Sequence, residues 1–209
     1  ADDGTGSNNN FDYIAINGND KIFLYNYEGG EAYVFTSTQV LRDPSAWYHL
    51  VVAFDTTQGT NTNRVKIYLN GSQITAFDTS NYPTQNFQTR FNNNNAQRIS
   101  SYPDQDASYF DGYMCEYHLV DGSQLAPTSF GEFDDNGVWV PIKYTGSYGT
   151  NGFFLEFQQT GTSQNASGIG ADTSGNDHHW AVTNLASTDI TEDTCTNNFA
   201  TLVPTLNMT

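Results

Sequence analysis

Apolar and polar residues alternate in short runs along this chain, and no stretch longer than one or two turns carries a helical period. In Arg64-Val65-Lys66-Ile67-Tyr68-Leu69, the odd positions are aliphatic and the even ones polar or amphipathic, the signature of a half-buried strand. Residues 47–54 alternate in the same way, and Asn70-Gly71 supplies a primed turn into residues 73–77, so residues 47–77 read as a three-strand antiparallel meander. Alternation puts Leu50, Val52, Phe54, Val65, Ile67 and Leu69 on one core face. Upstream, residues 11–16 and 21–27 flank Asn17-Gly18-Asn19-Asp20 as a hairpin, and a third run, 31–36, ends before the Pro44 turn. Downstream, residues 81–95 read as loop, 96–100 as strand and 109–120 as a long strand bulged near Asp111-Gly112. A short helical turn is expected within 124–130, and strands at 138–142 and 153–157. The pattern predicts an all-β, two-sheet antiparallel sandwich over residues 1–185, with 186–209 as an extended C-terminal tail.

Composition narrows the partners. The chain has 209 residues with 14 Phe, 13 Tyr and 3 Trp, yet only 14% are charged, against about 25% in ordinary globular domains. Asn, Thr, Ser, Gln and Gly carry the polarity, as in extracellular and carbohydrate-facing β proteins. A net charge of −16 repels phosphate backbones and anionic membrane surfaces, so no nucleic acid partner is expected. The same oxygen-rich composition suits calcium. No apolar run reaches the roughly 20 residues of a membrane helix, so no membrane insertion is expected. A start without Met reads as a processed product or part of something longer. Cys115 and Cys195 lie too far apart for a metal or redox motif, and both a disulfide and a free buried thiol at Cys115 stay open.

The order Ala46-Trp47-Tyr48-His49-Leu50-Val51-Val52-Ala53-Phe54-Asp55, a polar loop, then Asn63-Arg64-Val65-Lys66-Ile67-Tyr68-Leu69-Asn70-Gly71 resembles the core of concanavalin A-like LamG (laminin G-like) domains. Tyr109-Phe110-Asp111-Gly112-Tyr113-Met114-Cys115-Glu116-Tyr117-His118, and residues 130–137 with Lys143-Tyr144-Thr145-Gly146, look like LamG-bearing structural proteins of marine tailed phages. The resemblance spans roughly residues 35–202. It implies a jelly-roll sandwich in a virion-surface, tail-fibre or extracellular protein that recognises cell-surface carbohydrate. The alternative it implies is a purely structural component, a capsid decoration or fibre subunit held by other virion proteins. Either role suits a homo-oligomer or a larger assembly.

Family members open with an apolar strand that is missing ahead of Phe11. Gly152-Phe153-Phe154-Leu155-Glu156-Phe157 and Asp172-Thr173-Ser174-Gly175-Asn176-Asp177 resemble that strand and the turn after it, but come last. The resemblance therefore implies a permuted strand with Phe153, Leu155 and Phe157 facing inward, then a final strand at 178–182. The rival is the start of a second, incomplete domain.

Catalysis finds little support. Glycan-cleaving sandwiches place Glu-x-Asp-x-(x)-Glu on one strand, and Glu132-Phe133-Asp134-Asp135-Asn136 lacks the last Glu and sits at a turn. In His178-His179-Trp180 adjacent side chains face opposite ways and cannot share an ion. His49 reads as a hydrogen-bonded histidine of the fold, Trp47 as core, and Trp139 and Trp180 as core or interface. Nucleophile elbows, phosphate loops and His-Glu-x-x-His are absent, so no enzyme is expected. Binding chemistry concentrates in 92–111. Asn92, Asn94, Tyr102, Asp104, Asp106 and Tyr109 are the carbohydrate-binding candidates, and Asp104, Asp106 and Asp111 the calcium candidates. A plain polar loop with a Pro-Asp turn is the competing reading.

Overall fold

The computed structural model describes residues 10–93, 96–101, 108–191 and 194–195. Among them are eleven strands, all paired antiparallel, three short 3-10 turns and no α-helix. The all-β fold class read from the pattern is the one observed.

Strands β1 (Asn10–Ile16), β2 (Lys21–Glu28), β3 (Glu31–Val40) and β7 (Phe77–Asn81) form one sheet in the order β1-β2-β3-β7. Asn17 closes the first hairpin, its side-chain oxygen accepting the Asn19 and Lys21 amides at 2.9 and 3.2 Å. The second sheet is the expected meander of β4 (Leu50–Phe54), β5 (Val65–Leu69) and β6 (Ser72–Ile74). Asn70 and Gly71 link the last two with φ of +47° and +78°, the double left-handed conformation that makes Asn-Gly the preferred two-residue hairpin turn.

The sheets pack face to face. Ile22 and Leu24 of β2 and Tyr33 and Phe35 of β3 meet Val65, Ile67 and Leu69 of β5 and Ile74 of β6 in one buried cluster, against which Leu50, Val52 and Phe54 pack. The core face predicted from alternation is thus the real one. Trp47 departs from expectation: it is half-buried outside this cluster, and its neighbour Tyr48 packs against the core instead.

Beyond residue 108 the ladders are short. Strand β8 (Tyr117–Leu119) pairs with β11 (Phe153–Leu155), and β9 (Gly131–Phe133) with β10 (Trp139–Pro141). The long strand expected over 109–120 shrinks to three residues, because Ser108 and Glu116 take φ of +57° and +53° and break the extended run. Residues 96–100 form no strand. Neither do 178–182, where the His178 amide and the His179 ring are bound to Asp172. A short turn does form at Pro127–Ser129.

Phe153–Leu155 finds its ladder partner within its own chain, upstream of residue 120, as the permuted-strand arrangement requires. That partner is β8, and the pair stands as its own two-stranded ladder. Phe153 and Leu155 are buried as expected, whereas Phe157 turns out of the ladder at φ +55° and is half-buried. Cys115 and Cys195 form a disulfide with Cα atoms 6.5 Å apart, which decides the question the spacing left open.

Candidate functional site

Between the two sheets and the residues after them runs a short hydrogen-bonded bridge. Trp139 donates its indole N–H to His49 Nδ1 at 2.9 Å, so His49 is a hydrogen-bonded residue of the fold as expected. Burial holds its pKa below the ordinary value.

Among the described residues, the stretch 108–116 carries the most exposed aromatic side chains. The Phe110 amide donates to the Ser100 carbonyl at 2.9 Å, and the Cys115 disulfide pins the other end. Tyr113, between these anchors, is 68% exposed, Tyr109, just ahead of Phe110, is 63% exposed, and Asp111 is exposed as well. Tyr109 and Asp111 belong to the 92–111 stretch in which the sequence concentrates binding chemistry, and Tyr113 lies just beyond it.

Asn92 stands differently. Its side-chain oxygen accepts from Gln88 Nε2 and Thr89 Oγ1 at 3.0 and 3.1 Å, its Nδ2 donates to Asp121 at 3.3 Å, and its carbonyl accepts from Asn151 at 3.0 Å. The amide is spent on joining loops. Asn94, Tyr102, Asp104 and Asp106 lie outside the described residues, so two of the three calcium candidates do too. Among the described residues no three His, Cys, Asp or Glu side chains come close enough together to hold a metal ion.

Glu132 is the central residue of β9, and Asp134, just past the strand, accepts the Val138 and Asn136 amides at 2.7 and 2.9 Å. Those bonds hold its pKa below the ordinary value. This is a turn-capping carboxylate. His178 and His179 have structural bonds too: His178 Nδ1 lies 3.2 Å from the Gly152 carbonyl, and His179 Nδ1 accepts the Asp172 amide at 3.0 Å.

One cluster escaped sequence reasoning. The β8–β11 register sets Tyr117 opposite Leu155 and His118 opposite Phe154, which brings Glu116 and Glu156 into the same neighbourhood. Burial, and then the negative charge of Glu156, push the Glu116 pKa up. His118 stacks on Phe154 with centroids 4.1 Å apart, and its Nδ1 is 2.9 Å from the Tyr148 hydroxyl. Burial, and then nearby His49, bring its pKa down to about 4, which keeps the imidazole neutral at physiological pH. Glu116 and Glu156 are 40 residues apart and His118 and Tyr148 are 30 apart, and no local motif signals their meeting.

Two antiparallel sheets packed over one core define an all-β sandwich protein. Residues 1–128 match the family model of the concanavalin A-like lectin/glucanases superfamily, laminin G type, and the chain belongs to that family. No curated protein and no solved structure matches it.

Proposed function

We propose that the protein is a non-catalytic carbohydrate-recognition module, carried on a virion surface or fibre, with residues 1–185 forming the sandwich and 186–209 a tail. The observation that carries the binding reading is the exposure of Tyr109 and Tyr113, each about two-thirds exposed, with exposed Asp111 between them in sequence. Aromatic faces stack on the apolar face of a sugar, and a carboxylate accepts from its hydroxyls. Membership of a superfamily of lectins and glucanases supports the substrate class. The virion setting rests on the phage-like motifs alone. Calcium is proposed at Asp104, Asp106 and Asp111, and calorimetry with the triple Asn variant is its check.

The test is a glycan array followed by titration of the best ligand. Combined Tyr109→Ala and Tyr113→Ala should weaken binding by at least about tenfold, the scale of lost aromatic contacts. Undiminished affinity would remove that reading. Turnover of a polysaccharide that is abolished by Glu116→Gln or Glu132→Gln would replace recognition with hydrolysis.

A structural role in a particle draws on a different observation. Phe133 and Val138 are each 57% exposed at the tip of the β9–β10 hairpin, where a neighbour would cover them. A cryo-EM map with this tip buried between copies, together with a silent glycan array, would favour that role.

A further inference from the structure

The β8–β11 ladder stops one rung short of where its register would carry it. Its pairs are Leu119 with Phe153, His118 with Phe154 and Tyr117 with Leu155, so the next in line is Glu116 opposite Glu156. That rung is not formed. Both chains turn away at this point, Glu116 at φ +53° and Phe157, next after Glu156, at φ +55°. The left-handed region is unfavourable for any residue with a β-carbon, so both turns are taken against local preference. Two carboxylates at directly opposed positions supply the reason, because like charges facing each other across a ladder destabilise the pair.

Nothing nearby cancels the repulsion. Both glutamates are half-buried, and among the described residues neither carboxylate has a hydrogen bond or an ion pair. The groups packed around them are His118 of β8, Tyr144 and Tyr148 of the loop before β11, and Asp172 of the turn after it. His118 is neutral and Asp172 adds a further negative charge. Burial, then Tyr144, then the charges of Asp172, Glu156 and Glu116 push the Tyr148 pKa up, so this ring sits among all of them.

We infer that Glu116 and Glu156 form a proton-operated latch: one proton taken from solvent lets the two carboxyls share a hydrogen bond, adds the missing rung and draws the end of the 108–116 stretch onto β11. Cys115, just ahead of Glu116, is tied to Cys195, so the movement is confined to the segment that holds Tyr113. Its consequence for binding rests on the reading of Tyr109 and Tyr113 given above; the latch itself does not. Burial, and then Glu156, hold the folded pKa of Glu116 above 4.5, so the stability it contributes is present below 4.5 and lost as pH rises through the folded value. Asp172 takes up its proton below 3.8. Acid therefore closes the latch before it loosens the Asp172 turn.

Carboxyl NMR and hydrogen exchange on the unliganded protein, from neutral pH down to 4.5, test the latch. Glu116 should titrate above 4.5. Across that transition the amides of Glu116, Tyr117, Glu156 and Phe157 should slow by up to about fivefold relative to their intrinsic rates, with β4 and β5 unchanged. Glu156→Gln should bring the Glu116 titration toward 4.5, and either Glu156→Gln or Glu116→Gln should give the slowed exchange already at neutral pH. A Glu116 titration at 4.5, a titration unmoved by Glu156→Gln, or exchange that does not slow on acidification of the parent would each overturn the latch. None of these readouts involves a ligand, so their failure leaves the Tyr109 and Tyr113 reading intact, and a silent glycan array leaves the latch intact.

Discussion

Residues 10–91 and residues 108–195 satisfy the same requirement by different means. In the first region long ladders bond the backbone, and apolar faces of two sheets close over one another. In the second no strand among the described residues exceeds three residues, and turn-type backbone bonds are supplemented by many side-chain bonds to the backbone. Asp172 accepts from the amides of Phe154, Ser174 and His178 at 2.8, 2.9 and 2.9 Å and from the Ser174 hydroxyl at 3.0 Å. Asn176 donates to the carbonyls of Gly149 and Gly152 at 2.7 and 2.8 Å, and Asp121 accepts from the Asn151 amide at 3.1 Å. Buried backbone groups must be paired somewhere, and Asx side chains are the substitute where ladders are short.

The contrast extends to the two most deeply placed carboxylates. Asp12 is buried beneath the first sheet, bonded by Asn26 and by the Arg90 amide at 2.7 Å, and burial outweighs those bonds to raise its pKa. Burial pushes Asp172 upward as well, but its four hydrogen bonds outweigh it and the net shift is downward. One region tolerates a carboxylate; the other is organised around one.

The largest expected effect lies in the first region. Ile67→Ala, in a fully packed site, should cost about 2–5 kcal/mol by denaturant unfolding. A loss below about half a kcal/mol would show that the sheet faces do not carry this half.

Next in size is Asp172→Ala, which strands three backbone amides and a hydroxyl and should cost about 2–4 kcal/mol. Hydrogen exchange should show protection lost across residues 152–180 and kept in β2 to β5. Uniform loss would mean the halves are one cooperative unit. The pH dependence runs in opposite senses. With its folded pKa depressed, Asp172 contributes stability that is present above its ordinary value of 3.8 and is lost as pH falls through the folded value. Asp12, with its folded pKa raised, contributes stability that is present below 3.8 and is lost as pH rises through the folded value. Acidification should therefore loosen the second region first, as resolved by exchange at graded pH.

This division also explains what the sequence discloses. Ladders over an apolar core leave a period-two imprint, so β1 to β6 and the shared face of Leu50 to Leu69 were legible, down to the Asn-Gly turn. Side-chain scaffolding leaves no such imprint. The aromatic run from Tyr109 to Tyr117 looks like a strand, yet Tyr109 and Tyr113 point to solvent and positive φ at Ser108 and Glu116 breaks the extension. Asn92 looked like a sugar ligand because its type suits one, and its partners Asp121 and Asn151 lie 29 and 59 residues away. The meeting of Glu116 with Glu156 depends on the β8–β11 register, which alternation over three residues does not fix.

The smallest expected effect tests how the two regions are joined. The Trp139 ring lies against Gly71 and Gly131, where an added β-carbon would sit 2.3 and 2.6 Å from ring atoms, so the turn of one region and a strand of the other are shaped around the same indole. Phe133 meets that ring edge-on at 4.9 Å. Trp139→Phe keeps an aromatic ring between the glycines but removes the donor to His49 Nδ1, and one such hydrogen bond is worth about 1 kcal/mol. The His49 ring gives a second readout. Burial already holds its pKa below 6.5, and the indole N–H occupies the nitrogen that would take a proton. Freeing that nitrogen should move the His49 titration toward 6.5, followed by ring-proton NMR, while the β4–β5 amides keep their exchange protection. An unmoved titration with unchanged stability would mean that the indole fills space without coupling the two regions. Loss of protection in β4 and β5 would mean that the first region depends on the second, and the contrast between them would have to be abandoned.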